Sequence, residues 1–292
     1  MSDFEIFTDS CSDLPIEYIK EKNIKFARLT CTYNDKTYFD DFGQSLSYKK
    51  FFNDLRNGVT PKTSQPSVDE FYSDFKNIIN SGKDILYICV STGLSGSENS
   101  ATIAKNMILE DYPNANICIV NVLTASLGQG IMVMKAVEMK EEGKSLNEIV
   151  DYIEENKQRL NTFMTVDDLN HLKRGGRLST AATMIGTVFH IKPILSIDKD
   201  GSVISIDKTR GRKSSLKKLV DLLLERIEEA EKQIIGISHG DCIEEVLKLK
   251  DTILSKINVK DIIINYTGPA IGTHGGPNSV SIFFMGKERK IL

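Results

Sequence analysis

Short apolar runs alternate with helix-like segments through the first half of the chain, and this alternation limits the fold more than any other feature. The apolar runs at 4–8, 85–90 and 117–120 are followed by segments with helical patterning at 15–22, 98–109 and 126–140. Such alternation predicts a parallel sheet with helices on both faces. The run at 85–90 is apolar at every position, as expected for a strand that is buried on both sides.

The second half of the chain has more strand signals and fewer helices between them. The strand candidates are 163–166, 194–197, 203–206, 234–237, 262–264 and 280–284. Asp200 and Gly201 predict a hairpin turn between two of these strands. Apolar residues at helical spacing over 216–227 predict one amphipathic helix packed on the sheet. Together these features predict a mixed sheet.

The length of the chain predicts two domains. Its 292 residues exceed the size at which a single core is usual. We place the boundary near Asn161, where the pattern changes. The predicted architecture is an N-terminal α/β domain over 1–161, with three layers around the parallel sheet, and a C-terminal α/β domain over 162–292 with the mixed sheet.

Composition and charge exclude several classes of protein. Hydrophobic residues make up 40% of the chain and charged residues 26%, which is ordinary for a soluble globular protein. The net charge of −3 offers no general attraction for nucleic acid, so nucleic acid is not expected as a partner. No leader segment is visible in 1–20, and five scattered cysteines without a C-x-x-C pair predict a reducing, cytoplasmic location. The four histidines lack metal-ligand spacing, so we expect no metal.

Three polar segments predict a site for a small anion. The segment 91–97 is rich in serine and glycine and joins a predicted strand to a predicted helix. Similar polar turns are predicted at 63–66 and 272–277. Ser67 and Glu70 have capping-box spacing, so a helix is expected to begin directly after Pro66. Hydroxyl groups, backbone N–H groups and the His274 imidazole could therefore converge on one acidic head group.

Other interpretations of these segments stay open at this stage. The string 93–97 resembles a nucleophile elbow but lacks its second glycine, and Ser95 has no assigned base or acid. A serine hydrolase acting on a lipid or ester through Ser95 is one alternative, and a plain helix N-cap at Ser95 is another. The chain has no recognisable nucleotide-binding loop, so phosphorylation chemistry would need ATP bound by another protein.

Two basic clusters also have more than one interpretation. Arg174 and Arg177 flank a Gly-Gly pair in the run 172–178, and Arg210 lies in a second cluster at 208–213. Solvated surface charge, charges at the end of a helix, an RNA-binding element and a patch for docking an acidic partner all fit this pattern. RNA binding is disfavoured because the element occurs once in an acidic chain.

In their combined order these segments resemble the DegV family over essentially the whole chain. The residues that carry the resemblance are Asp9, Ser10, Asp13, 63–66, 94–96, 126–130, 172–178 and 272–277. The resemblance implies a two-domain α/β protein that binds one long-chain fatty acid. It further implies a carrier without catalytic residues of its own, which presents the acid to a separate ATP-binding fatty acid kinase subunit.

The resemblance also implies roles for individual residues. Thr63, Ser95 and His274, with Gly96 beside them, are expected to hold the fatty-acid carboxylate. Arg174, Arg177 and Arg210 are expected to face the kinase. No cofactor is expected, and transient contact with a membrane would supply the acid. A protein-interaction module without a small ligand is the remaining alternative.

The acyl tail needs an apolar tunnel. Burying about 15 methylenes at about 0.8 kcal/mol each gives on the order of 12 kcal/mol of gross transfer free energy, before the costs of association. The tail is thus expected to dominate affinity, while the polar segments set orientation. The tunnel candidates, for which ordinary core packing is the alternative, are Met184, Ile185, Val188, Phe189 and Ile194.

Overall fold

The computed structural model describes residues 3–178 and 191–289. Its strands are β1 (Phe4–Asp9), β2 (Lys25–Ala27), β3 (Thr30–Tyr33), β4 (Lys36–Phe39), β5 (Lys62–Ser64), β6 (Asp84–Cys89), β7 (Ile117–Asn121), β8 (Leu160–Thr165), β9 (Ile191–Ile197), β10 (Val203–Arg210), β11 (Ile234–His239), β12 (Asp261–Tyr266) and β13 (Val280–Met285). Its α-helices are α1 (Ile16–Glu21), α2 (Tyr48–Arg56), α3 (Val68–Asn80), α4 (Ser97–Asp111), α5 (Leu127–Glu141), α6 (Leu146–Asn156), α7 (Asn170–Arg174), α8 (Arg212–Arg226), α9 (Ile243–Leu254) and α10 (Pro269–Gly275).

The first sheet is parallel throughout, with the strand order β2-β1-β6-β7. Alternate residues of β6 face opposite layers, as strand geometry requires. Tyr87 packs with Phe7 and Phe75 on the side of α3 and α4. Ile88 belongs to the core on the other side, with Val133 of α5. The predicted three-layer arrangement is confirmed, and so is the capping box of Ser67 and Glu70 at the start of α3.

Helix α5 lies between the two sheets and contacts strands of both. Its small residues are required by this close packing. A β-carbon on Gly128 would lie 2.8 Å from the Phe283 ring of the second sheet, and one on Gly130 would lie 2.8 Å from the Ser12 carbonyl oxygen. Gln129 between them is buried and donates to the Thr8 hydroxyl at 3.1 Å. The Gly-Gln-Gly string therefore serves packing between the sheets.

The second sheet has six strands in the order β10-β9-β8-β13-β11-β12. It is mixed, as predicted, because β11 and β12 are parallel while the other neighbours are antiparallel. Asp200 and Gly201 form the hairpin between β9 and β10, where Gly201 has a φ of +82°. The amphipathic helix predicted over 216–227 is present as α8, which packs on this sheet, and α9 joins it in one core. The fold class is confirmed, whereas the domain boundary near Asn161, a residue of β8, stays a prediction.

A small antiparallel sheet, β4-β3-β5, was not predicted from the sequence. Asn34 and Asp35 join β3 to β4 with positive φ values of 49° and 57°, which suits a tight hairpin turn. The expected polar turn at 63–66 is wrong for its first two residues, because Thr63 and Ser64 belong to β5. Thr63 lies opposite Cys31 of β3, so backbone hydrogen bonding fixes its position.

The expected polar turn at 272–277 is also wrong, because residues 269–275 form helix α10. Pro269 suits the first turn of a helix, and Gly276 ends the helix with a φ of +74°. Glycine is required at position 272, because a β-carbon there would lie 2.8 Å from the Phe51 ring. His274 therefore sits in the last turn of a helix rather than in a loop.

Two further expectations need correction or restriction. The sequence also predicts a helix from residue 146 to about residue 160, but α6 ends at Asn156, because a short 3-10 turn follows and Leu160 begins β8. Ile194 is buried in the core shared by α8, α9 and the second sheet. The other tunnel candidates, Met184, Ile185, Val188 and Phe189, lie outside the described residues.

Candidate functional site

An apolar cavity of about 400 Å³ lies between the two sheets, and we call it the inner cavity. It lies beyond the carboxyl ends of β1 and β6, where ligands of open α/β sheets bind. Cys11 and Val90, which follow these strands, contribute to its wall. Its apolar lining comes from both halves of the chain and includes Leu29, Leu94, Ala125, Met164, Val166, Leu172, Ile197, Val203, Ile271 and Phe283. Ile194 is not among the described residues that line it.

Three polar side chains from distant segments line the same cavity. Thr63 comes from β5, Ser95 precedes α4 and His274 lies in α10. The Thr63 hydroxyl and the His274 Nε2 atom are 3.0 Å apart and hydrogen-bonded. The Ser95 and Ser97 hydroxyl oxygens are 2.9 Å apart, and the Ser97 backbone N–H donates to Ser95 Oγ at 3.3 Å. The structure thus brings these three candidates together in the wall of one cavity.

Gly96 has a different position from the other predicted head-group residues. It is the N-cap of α4 and is not among the described residues that line the inner cavity. A β-carbon there would lie 2.1 Å from the Gln65 side-chain oxygen. Gln65 donates to the Gly96 carbonyl at 3.0 Å and to the Ser100 hydroxyl at 2.7 Å. Gly96 therefore lets the segment after β5 dock against the start of α4, which fixes Ser95 beside Thr63.

His274 is held as a neutral imidazole. Burial lowers its pKa to about 4, and the positive charges of Arg177 and His171 act in the same direction. Its Nδ1 atom is buried and has no hydrogen-bond partner among the described residues. An anion placed beside this ring would raise its pKa, because an opposite charge favours the protonated form.

Two buried carboxyl groups anchor the beginning of α10. Asp13 accepts a hydrogen bond from the Gly268 N–H at 2.8 Å, and Asp40 accepts one from the Ala270 N–H at 2.8 Å. Desolvation raises the pKa of Asp40 to about 7 and raises that of Asp13 well above its ordinary value. Asp13 also accepts a hydrogen bond from the Ser126 hydroxyl at 2.5 Å, which ties α10 to the start of α5.

A second cavity, of about 390 Å³, lies beside His274, and we call it the outer chamber. It shares Thr63, Arg177 and His274 with the inner cavity. The other residues that line it are Thr60, Pro61, Lys62, His171, Arg174, Gly175 and Thr273.

The three arginines predicted to face a partner differ in their surroundings. Arg177 is half-buried and donates to the carbonyl oxygens of Leu94 at 3.0 Å and Gly175 at 2.5 Å. Arg174 is exposed at the end of α7 and contacts His171 Nδ1 at 3.3 Å. Arg210 is exposed at the end of β10 and lines neither cavity.

The hydrogen bonds do not form a serine–histidine pair at Ser95. Ser95 bonds to Ser97, whereas His274 bonds to Thr63. In residues 3–178 and 191–289, no group of three or more His, Cys, Asp or Glu side chains is arranged to hold a metal ion. Over the same ranges, no helix combines the length and the apolar character that crossing a bilayer would require.

Comparison with known proteins identifies the family. The family model described as "Uncharacterised protein, DegV family" matches residues 3–287, and a DegV domain-containing protein of Clostridium perfringens is 42% identical over 290 residues, covering 99% of this chain and 100% of that protein. The chain belongs to the DegV family. The resemblance inferred from the separate sequence segments is thereby confirmed.

Solved DegV-family structures share the whole fold. A DegV family protein from Thermus thermophilus, described by its fatty acid binding, superimposes with a TM-score of 0.89 at 27% identity, covering 98% of this chain and 100% of that one. DegV from Bacillus subtilis, described as a fatty acid binding protein, gives a TM-score of 0.87 at 28% identity with the same coverage.

Several residues that shape the site of this DegV-family chain were missed by sequence reasoning. Asp40 acts through a contact with a distant segment, which no local pattern predicts. Gln65 and Gly175 were noticed only as members of the segments 63–66 and 172–178, without a role. Lys62 and His171 carry ordinary polar side chains and join the site only because β5 and α7 meet beside α10. Asp13 was noticed only as part of the family resemblance, without a role.

Proposed function

We propose that this DegV-family protein binds one long-chain fatty acid in the inner cavity and presents its carboxylate to a separate ATP-dependent kinase. The observation that carries the proposal is an apolar cavity whose wall includes Thr63, Ser95 and His274 together. The Thermus thermophilus and Bacillus subtilis relatives, which are described as fatty-acid-binding, support the same ligand class.

The two parts of the ligand match the two parts of the site. The apolar wall suits an acyl tail, since each buried methylene contributes about 0.8 kcal/mol of transfer free energy. The carboxylate would accept hydrogen bonds from the Thr63 and Ser95 hydroxyls, and His274 would orient the Thr63 hydroxyl through its Nε2 atom. A buried anion needs such charge-assisted bonds, because without them its desolvation opposes binding strongly.

The proposed reaction needs no covalent step on this chain. One carboxylate oxygen attacks the γ-phosphorus of ATP on the kinase, a new P–O bond forms, and the bond to the β,γ-bridging oxygen breaks. ADP leaves with that electron pair, and the product is an acyl phosphate; no proton is transferred. The contribution of this protein is the position of the carboxylate and exclusion of water from the tail.

The partner, the source of the acid and the location are part of the same proposal. The kinase would dock on the face nearest the head-group residues, with the exposed Arg174 and Arg210 as contacts and Arg177 closer to the head group. The fatty acid would come from a membrane or an exchange pool by transient contact. A kinase that uses ATP places the protein in the cytoplasm.

The test begins with the purified full chain. Denaturing extraction followed by mass spectrometry should recover about one fatty acid per chain, and the delipidated protein should rebind palmitate. Adding ATP and the candidate kinase from the same organism should then yield acyl phosphate, trapped as a hydroxamate with hydroxylamine. A protein without extracted lipid and without palmitate binding contradicts the proposal, while binding without turnover contradicts only the kinase step.

A further inference from the structure

Hydroxyl groups line the inner cavity well beyond the three head-group residues. On the second sheet the lining includes Thr162 of β8 and Ser281 of β13, with Ser279 directly before β13. Most hydroxyls of this wall are bonded within the protein. The Thr162 and Thr124 hydroxyl oxygens are 3.1 Å apart and hydrogen-bonded, and Ser279 donates to the Gly276 carbonyl at 2.9 Å.

Ser281 differs from these bonded hydroxyls. It is half-buried, and its hydroxyl has no hydrogen-bond partner among the described residues. Ser238 lies directly across on β11, but its Oγ atom is bonded to Ser126 Oγ at 2.9 Å and not to Ser281. Strand β13 is flanked by β8 and β11, and the chain neighbours Val280 and Ile282 are fully buried. The accessible surface of Ser281 therefore faces the inner cavity, which it lines.

The order of residues along β13 places Ser281 between the head-group end of the wall and its far part. A β-carbon on Gly275, next to His274, would lie 3.1 Å from Ser279 Oγ, so Ser279 lies near the head-group residues. Alternate residues of a strand face the same side, and two residues advance about 7 Å along it. Ser281 thus lies one such step from Ser279, and Phe283 lies two steps from it.

An acyl tail that passes Ser281 changes the surroundings of its hydroxyl. The adjacent residues on the cavity face are apolar, with Met164 directly opposite on β8 and Phe283 next along β13. A saturated tail would exclude water from the Ser281 hydroxyl and offer it no hydrogen bond, which opposes binding. A hydroxyl group on the tail would supply that bond, because a serine hydroxyl both donates and accepts.

We propose that Ser281 is a specificity-determining residue and that the inner cavity takes a long-chain hydroxy fatty acid, whose chain hydroxyl bonds to Ser281 Oγ. The inference rests on the proposed function, since it concerns a tail whose carboxylate is held at Thr63, Ser95 and His274. The chain hydroxyl lies between that carboxylate and the carbons that pass Phe283. Palmitate occupies the same cavity but leaves the Ser281 hydroxyl without a partner.

A small side chain at position 281 has a simpler explanation, which is space for the tail. Alanine provides that space as well as serine does, because the two side chains differ by one hydroxyl oxygen. Space alone therefore predicts no change in ligand preference for Ser281→Ala. A hydrogen bond predicts opposite effects of this substitution on a hydroxylated and a plain tail.

The experiment measures the Kd by calorimetry on the delipidated full chain, for palmitate and for hydroxypalmitates with the hydroxyl on successive carbons from 3 to 12. Wild type should prefer one position of the hydroxyl, with a Kd at least about fivefold lower than for the other isomers. Ser281→Ala should raise the Kd for that isomer, because the chain hydroxyl then lacks a partner, and should lower the Kd for palmitate, because no serine hydroxyl is dehydrated. The ratio of the palmitate Kd to the Kd of the preferred isomer should fall at least about fivefold.

Ser205→Ala is the matched control, because Ser205 is half-buried on β10 of the same sheet and is not among the described residues that line the inner cavity. It should leave the ratio unchanged. Three results overturn the role of Ser281 but leave the proposed fatty-acid site intact: palmitate binding without binding of any hydroxypalmitate, equal affinity for all the isomers, or a ratio that falls less than about fivefold in Ser281→Ala. Failure of the wild-type protein to bind either palmitate or the hydroxypalmitates overturns the proposed function itself.

Discussion

The imidazole of His274 occupies the space that any side chain at Gly175 would need. A β-carbon on Gly175 would lie 2.0 Å from His274 Nδ1, far inside van der Waals contact. Gly175 has a φ of −74°, which every residue adopts easily, so space and not backbone conformation requires the glycine. The imidazole therefore lies with its Nδ1 atom against Gly175, at the end of α7, and with its Nε2 atom hydrogen-bonded to Thr63.

Gly175→Ala should displace His274 and weaken fatty-acid binding. Loss of one hydrogen bond to a charged group is worth about 1.5–3 kcal/mol, so we expect at least about a tenfold rise in the Kd for palmitate. The control is Gly176→Ala, where φ is +67° and the added carbon meets nothing within 4 Å. That variant should lose about 1 kcal/mol of stability and keep its affinity. Equal affinities for both variants would contradict the steric argument.

Thr63→Val should remove the proposed head-group contact without changing the shape of the site. It deletes one hydroxyl donor and leaves His274 Nε2 without its partner, so the Kd for palmitate should rise about tenfold. The free energy of unfolding, measured with urea, should change by less than about 1.5 kcal/mol. Thr32→Val in the same small sheet is the matched control, because its hydroxyl bonds only to Thr37. If both valine variants bind palmitate like the wild type, Thr63 has no role in the head-group site.

Apart from the three-residue β2, the strands of the two large sheets could be predicted, because a local apolar pattern marks each of them. The run 85–90 is apolar at every position and is buried throughout in the structure. Asp200 and Gly201 favour a tight hairpin turn by residue type alone, and the structure has the hairpin at this position. Ser67 and Glu70 likewise predict the start of α3, because they form a capping box and are only three positions apart in the sequence.

The small sheet and α10 could not be predicted, since both depend on contacts between distant segments. Strand β5 has three residues and exists because β3 pairs with it. Helix α10 contains glycines that disfavour a helix in isolation, and Asp13 and Asp40 satisfy N–H groups at its beginning. The sequence therefore identified Thr63 and His274 as candidates but assigned both to turns.

Asp40→Asn should change stability in a pH-dependent way. The pKa of Asp40 is raised to about 7 by burial, so the folded state prefers the protonated carboxyl. The contribution of the protonated carboxyl to the free energy of unfolding is therefore full below the unfolded pKa of about 4 and is lost as the pH rises through about 7. Asn keeps an oxygen that can accept from the Ala270 N–H and has no charge to bury. Relative to wild type, the variant should gain stability between pH 4 and pH 8, by up to about 1.4 kcal/mol for each pH unit that separates the folded and unfolded pKa values of Asp40.

Urea unfolding at pH 4.5 and pH 8 checks this dependence. Asp200→Asn, at an exposed hairpin position, is the control and should stay within about 0.5 kcal/mol of wild type at both values. If the free energies of unfolding of Asp40→Asn and wild type differ by the same amount at both pH values, Asp40 is not held as the neutral acid.

Ala125→Leu should shorten the fatty acid that the inner cavity accepts. Ala125 lines the cavity, and the longer side chain would fill space equivalent to a few methylenes of the tail. Since each methylene contributes about 0.8 kcal/mol, excluding two or three should raise the Kd for palmitate by more than tenfold while a chain shorter by that number is affected least. Competition binding over saturated acids of 12 to 18 carbons measures the preference. Ala230→Leu, at a half-buried position that is not among the described residues lining the cavity, is the control. An unchanged chain-length profile in Ala125→Leu would mean that the tail does not pass this part of the wall.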